Sequence, residues 1–170
     1  MNISKQIVGY LHSRALVLAS IETCTAGAMS AMLADVAGAH GCLDIGVIVH
    51  THAALAGLPG TLAQAAVETD VPPGEPLART LAEALLVQRA GHANVALASI
   101  GWLAPEQEGR APATHSFAWA CMHRGAVVSA SETVLFSGRR AEIRRSIARR
   151  ALLGLPRFVD ATLARDAPAS

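Results

Sequence analysis

Two kinds of side chain are almost missing from this chain of 170 residues: Lys5 is its only lysine and Tyr10 its only tyrosine. Any mechanism that needs an amine or a phenol must draw on the N-terminal segment or be abandoned. Cysteine is scarce, and Cys24, Cys42 and Cys121 form an odd, widely spaced set. No C-x-x-C pair occurs, which tells against a structural zinc site. The set fits reduced, mostly buried thiols in a cytoplasmic protein better than a disulfide framework. Charge is sparse as well. Charged residues make up 16% and the net charge is +1 with histidines neutral, so nothing marks nucleic acid as a partner. No apolar run is long enough to span a bilayer, and the N-terminal segment lacks the layout of a signal peptide. A cytoplasmic protein with neither a membrane nor a nucleic-acid partner is expected.

Apolar residues, by contrast, make up 52% of the chain, enough to bury a sizeable core in one domain. The expectation is a single domain over residues 1–165, with 166–170 frayed. Ile3, Ile7, Val8 and Leu11 recur at helical spacing. A strand over 15–21 and a helix over 25–36 follow, then a break at 37–41. Residues 42–50 read as a buried strand, and 51–58 and 61–67 as short helices. The prolines of 70–76 demand a loop. Leu77, Leu81, Leu85 and Leu86 mark one face of a helix over 77–89, capped by Gly91. A strand over 93–100, an exposed loop over 101–112, a hairpin of strands 114–122 and 126–136, and a helix over 140–155 complete the chain. Strands that alternate with helices and end in a hairpin predict an α/β fold, a three-layer α/β/α sandwich with a mixed central sheet.

The most informative stretch runs from Ala15 to Gly27, where an apolar run ends in Glu22-Thr23-Cys24-Thr25-Ala26-Gly27 and an amphipathic run follows. The order is strand, tight turn, helix, with Thr23 and Thr25 as candidate N-caps. Such a turn aims unpaired N–H groups and a helix dipole at one point beyond the carboxyl end of a strand, where α/β sheets bind ligands. The stretch is either an anion pocket or a plain strand-to-helix connection.

Five motifs, in order, carry a family resemblance over about residues 16–155. Glu22-Thr23-Cys24-Thr25-Ala26-Gly27 is similar to Glu-Ser-Cys-Thr-Gly-Gly, and Asp35-Val36-Ala37-Gly38-Ala39-His40 to Asp-x-x-Gly-Ser-Ser. Gly46 to His52, followed by Leu55, is similar to Gly-x-x-x-Tyr-Ser-Asn with a lysine shortly after. Gly101-Trp102-Leu103-Ala104-Pro105 is similar to Gly-Ile-Ala-Gly-Pro, and Phe136-Ser137-Gly138-Arg139-Arg140 to Phe-x-Gly-Asp-Arg. These motifs resemble the C-terminal domain of the CinA (competence/damage-inducible) family, also found alone as the nicotinamide-mononucleotide amidohydrolase PncC. The resemblance implies that fold, a metal-independent amidase ancestry without a cofactor, and assembly into a homo-oligomer, a dimer. It places Glu22, Thr23, Thr25, Gly27, Thr51 and Arg140 around a small nucleotide or other anion. It also implies a degraded catalytic site. The lysine position is Leu55, the tyrosine position His50, the Gly-Ser-Ser pair Ala39-His40, the first serine Thr23 and the first glycine of the pair Ala26. The expectation is an inactive or very weak deamidase that keeps its pocket. The alternatives are an amidohydrolase with rebuilt chemistry and a structural or assembly protein.

For rebuilt chemistry the candidates are Thr23 or Cys24 as nucleophile with His40 or His50 as base, since histidine is the commonest general base near neutral pH. The other reading is a small buried Cys24 with rim histidines. A metal set of Asp44, His50 and His52 ranks lower, because the chain leaves the strand between the histidines. Arg140 lies three, seven and eleven residues before Ile143, Ile147 and Ala151 and so shares the apolar face of the last helix. An arginine at a helix N-terminus opposes the macrodipole unless an anion binds there; the alternative is that it snorkels or pairs with an acid. Arg144, Arg145, Arg149 and Arg150 read as solvated or interface residues, and Trp102 and Trp119 as packing groups.

Overall fold

Two strands buried along their whole length set the centre of the molecule: β1 (Leu18–Thr23) and β3 (Val95–Ile100). They pair in parallel, and parallel strands covered on both faces read as unbroken apolar runs. The computed structural model of the chain describes residues 2–68, 74–103 and 112–166. β2 (Leu43–Val49) lies parallel to β1 at one edge. β4 (Ala113–His123) runs antiparallel to β3, and β5 (Ala126–Phe136) antiparallel to β4, giving the sheet order β2-β1-β3-β4-β5. This is the mixed sheet that the alternation of strands and helices predicts.

Strand alternation divides the core in two. Leu97, Phe117 and Trp119 face α1 (Ile3–Ser13), α2 (Ala28–Ala34) and α5 (Arg140–Ala164). Ala96, Ala98, Ala118 and Ala120 face α3 (Thr61–Glu68) and α4 (Glu75–Gln88). The alanines leave room for Leu77, Leu81 and Leu85 of α4 to lie against the sheet, and all three are fully buried.

Several boundaries differ from the sequence reading. Ala15 takes a positive φ of 52° as a turn, and β1 starts only at Leu18. The helix expected from Thr25 begins at Ala28. Residues 51–58 give only a 3-10 turn, Ala53–Gly57. Glu75 and Pro76, expected in a loop, open α4, since a proline in the first turn forfeits no helical hydrogen bond. Residues 70–73 of that loop and 104–111 of the next lie outside the described residues.

The largest difference is α5, which runs through Pro156 to Ala164 rather than ending at Leu155. An interior proline forfeits a hydrogen bond and crowds the preceding turn. The turns beyond it bury Phe158, Val159 and Thr162, and Tyr10 Oη donates to Asp160 at 2.6 Å. Those contacts hold the second half in line. Upstream, the Trp119 ring fills the space at Gly154, and its Nε1 donates to the Ala151 carbonyl at 3.0 Å. Asp166, the first residue of the expected frayed tail, meets His123 at 2.7 Å and Arg124 at 2.9 Å.

Candidate functional site

β1 leaves the sheet through a run of left-handed residues. Cys24, Ala26 and Gly27 have φ of 69°, 54° and 88°. Thr25 N–H bonds back to the Thr23 carbonyl at 2.7 Å, which makes Cys24 the centre of a γ-turn of the rarer, strained hand. Gly27 is needed on two counts, its φ and the Ile48 side chain, whose Cδ1 would lie 2.9 Å from an added Cβ. Ala26, where the resemblance has glycine, carries the positive φ without that freedom.

The donors of this turn are not open to solvent. Glu22, fully buried, accepts from Thr25 Oγ1 at 2.6 Å, from Met29 N–H and Ser30 N–H at 3.2 Å, and from Ser30 Oγ at 3.0 Å. The first-turn N–H groups that the sequence reading left for an anion are therefore taken by a carboxylate of the protein itself, because the strand places Glu22 directly under the start of α2. Thr23 is occupied too. Its hydroxyl donates to the Gly101 carbonyl at 2.7 Å and accepts from Gly101 N–H at 2.9 Å, tying the end of β1 to the end of β3. A hydroxyl bonded on both sides has no free base to take its proton.

One buried pair was missed by the sequence reading. Ser99 Oγ lies 2.7 Å from His115 Nε2, with both residues buried. Burial pushes the His115 imidazole down to about 4, against the pull of hydrogen bonding to Ser99. Gly101 packs against the ring so closely that a Cβ there would lie 2.5 Å from Nδ1. The pair thus backs the turn that holds Thr23. The signal was the period-2 alternation of β4, which sets His115 on the same face as Phe117, Trp119 and Cys121.

The charge at this end of the sheet comes from α5. Burial pushes the Cys24 thiol up, against the Arg144 guanidinium, the Leu103 backbone and Arg140, all of which pull it down. Arg144, read from the sequence as a solvated or interface residue, is half-buried, and its Nε has no hydrogen-bond partner among the described residues. Trp102 Nε1 is the other buried side-chain nitrogen in that condition, and the Trp102 ring meets His52 edge-on at 5.3 Å. Arg140, the exposed first residue of α5, lies one turn before Arg144.

The remaining candidates are distributed unevenly. His50 follows β2 at the same end as Thr23, since Thr23 pairs with Val49, and is exposed. His40 does not belong here. It precedes β2, whose start pairs with Leu18, and so lies about 16 Å or more away at the opposite end of the sheet. Thr51 accepts from Ala54 N–H at 3.2 Å, starting the 3-10 turn. Leu55, at the lysine position, is 3% exposed in the core beside α3 and α4. Asp44 is held by Arg89 through two bonds of 2.6 and 2.8 Å, far along β2 from His50. Among the described residues no group of three His, Cys, Asp or Glu side chains is placed to hold a metal ion.

A family model, the CinA C-terminal domain, matches residues 1–159. Among solved structures, the competence damage-inducible protein A (ComA) of Klebsiella pneumoniae subsp. pneumoniae MGH 78578 is 23% identical with a TM-score of 0.71, over 97% of this chain and 97% of that one. The competence or damage-inducible protein of Enterobacter asburiae is 23% identical with a TM-score of 0.69, over 89% and 92%. The competence/damage inducible protein CihA of Agrobacterium tumefaciens is 25% identical with a TM-score of 0.67, over 88% and 89%. No curated protein matches the chain in sequence.

Proposed function

Since this chain belongs to the CinA C-terminal domain family, we propose that it binds a small phosphorylated ligand, of the pyridine mononucleotide class, at the carboxyl ends of β1, β2 and β3 and deamidates it very slowly or not at all. The observation that carries this reading is Arg144, whose Nε is buried beside the Cys24 turn without an acceptor among the described residues. A buried donor without a partner is costly, and an anion supplies the missing acceptor. Arg140 adds a second guanidinium one turn away, and planar forks suit phosphate geometry. Such a ligand rests on α5, not on the first turn of α2, which Glu22 already neutralises. Slow chemistry follows from the same residues: the Thr23 hydroxyl is committed on both sides, and Leu55 brings no amine.

Thermal and urea unfolding with and without nicotinamide mononucleotide or inorganic phosphate test the reading. A bound ligand stabilises the fold by about 2.7 kcal/mol at a hundredfold excess over its dissociation constant. Arg144→Ala and Arg140→Ala are expected to lose most of that gain, measured within each variant. Absence of any shift in the parent protein overturns the pocket. Ammonia release on the order of 1 per second or faster overturns the slow chemistry.

A second reading, an amidohydrolase that works through Cys24, has one observation in its favour: the strained γ-turn that presents the thiol. Its raised pKa weighs against it, because the thiolate is the nucleophile. If deamidation is found, Cys24→Ser abolishes it on this reading and spares it on the first.

A further inference from the structure

Two of the places where the chain departs from the family motifs meet in space. Trp102 stands where the motif has isoleucine, and His52 where another motif has asparagine. Far apart in sequence, their rings meet edge-on at 5.3 Å, with 67° between the planes. From this contact we infer that Trp102 and His52 are the specificity-determining pair of the site. They grip the planar base of the ligand, and Trp102 Nε1 donates to an acceptor that the base carries, the acyl oxygen of a nicotinoyl group. The inference rests on the phosphorylated ligand proposed above and assigns the residues that read its other end.

The pair is fixed from both sides. The sheet order puts β1 between β2, which leads to His52, and β3, which leads to Trp102. Those two strands are about 10 Å apart, so the contact bridges the end of β1. Gly101, held by the Thr23 hydroxyl through bonds of 2.7 and 2.9 Å, anchors the backbone from which Trp102 departs. His52 opens the 3-10 turn Ala53–Gly57, which Thr51 Oγ1 ties down through the Ala54 N–H. Trp102 packs with the core on the α3 and α4 side, whereas Leu103 and Cys24 pack with the core on the α5 side. The arginines of α5 and the two rings therefore flank the end of β1 from opposite faces of the sheet. A mononucleotide laid across that end meets a guanidinium with its phosphate and the rings with its base.

Packing alone, the role read from the sequence, does not account for Trp102. A buried indole ordinarily finds a partner for its N–H. Trp119 does, donating to the Ala151 carbonyl at 3.0 Å. Trp102 Nε1 is buried with no acceptor among the described residues. An indole N–H can only donate, so the missing partner is an acceptor. Isoleucine at this place has no such donor. A site that donates to an acyl oxygen discriminates against a phosphate ester without one, because the donor is then left unpaired. His52 is exposed at the rim and adds a second ring edge against which a planar base can lie.

Titration calorimetry with nicotinamide mononucleotide and with ribose 5-phosphate tests the inference, since the second ligand keeps the phosphate and lacks the ring. Nicotinamide mononucleotide is expected to bind about tenfold more tightly or better. Trp102→Phe, which keeps a ring and removes the N–H, and His52→Ala should each bring the two affinities close together, by weakening the first ligand and sparing the second. Fluorescence gives a readout at the ring itself. In Trp119→Phe, Trp102 is the only tryptophan left. Its emission should be quenched saturably by nicotinamide mononucleotide and not by ribose 5-phosphate. Circular dichroism melts check that each variant folds. Equal affinities in the parent protein leave the phosphate reading standing and overturn this inference alone, as does a preference that both Trp102→Phe and His52→Ala keep. If neither ligand binds, the phosphate reading fails and this inference falls with it.

Discussion

Glu22 accepts from Ser30 twice, from its backbone N–H at 3.2 Å and from its hydroxyl at 3.0 Å. With the bonds from Thr25 and Met29, all four link one buried carboxylate of β1 to the turn and to the first turn of α2. The seven-residue helix α2 has no side-chain cap at Gly27, and Glu22 takes that role from the strand.

Glu22→Gln should therefore destabilise the protein by about 2–3 kcal/mol, since an amide nitrogen would face donors that now meet a charged acceptor. Urea unfolding at neutral pH measures it. A change within a few tenths of a kcal/mol would mean that water satisfies α2 equally well.

The buried His115 makes stability fall in acid. The unfolded imidazole titrates near its ordinary value of 6.5, and the folded one at about 4. Between these values the unfolded chain binds a proton that the folded chain refuses. The contribution is whole above about pH 6.5 and is lost as pH falls to about 4, by about 3 kcal/mol in all. His115→Asn should flatten that slope, read as the difference in unfolding free energy between about pH 7 and about pH 4.5. An unchanged slope would assign the acid sensitivity to other groups.

Gly154→Ala should destabilise by about 1–3 kcal/mol, although alanine is the better helix former by about 1 kcal/mol. The added methyl would lie 2.1 Å from Trp119 Cζ2. Combining it with Trp119→Phe should cost less than the two single changes summed, because the smaller ring vacates the space. Strict additivity in a double-mutant cycle would count against the clash.

Elements with a clear period were legible in the sequence. The residues of β5 were read at their observed bounds, and the leucines of α4 marked its buried face. What could not be read depended on distant partners. Pro156 stays inside α5 because Phe158 and Val159 find the sheet, which no local propensity reports. His40 and His50 flank β2, and only its direction shows that they lie at opposite ends. Glu22 looked like a pocket residue because its donors arrive from α2, up to eight residues later. Arg144 reads as a solvated or interface residue because nothing in its helix announces the Cys24 turn.

Leu55 fixes what a lysine at its position would meet. It stands where the resemblance expects a lysine, yet it is a core residue wedged beside α3 and α4. Placing an amine there would bury a charge at a cost of several kcal/mol or force it to be neutral. An exposed amine there would require the 3-10 turn Ala53–Gly57 to be rebuilt so that the position faces outward. Leu55→Lys alone is therefore a folding defect first, whatever chemistry an amine at that position could offer.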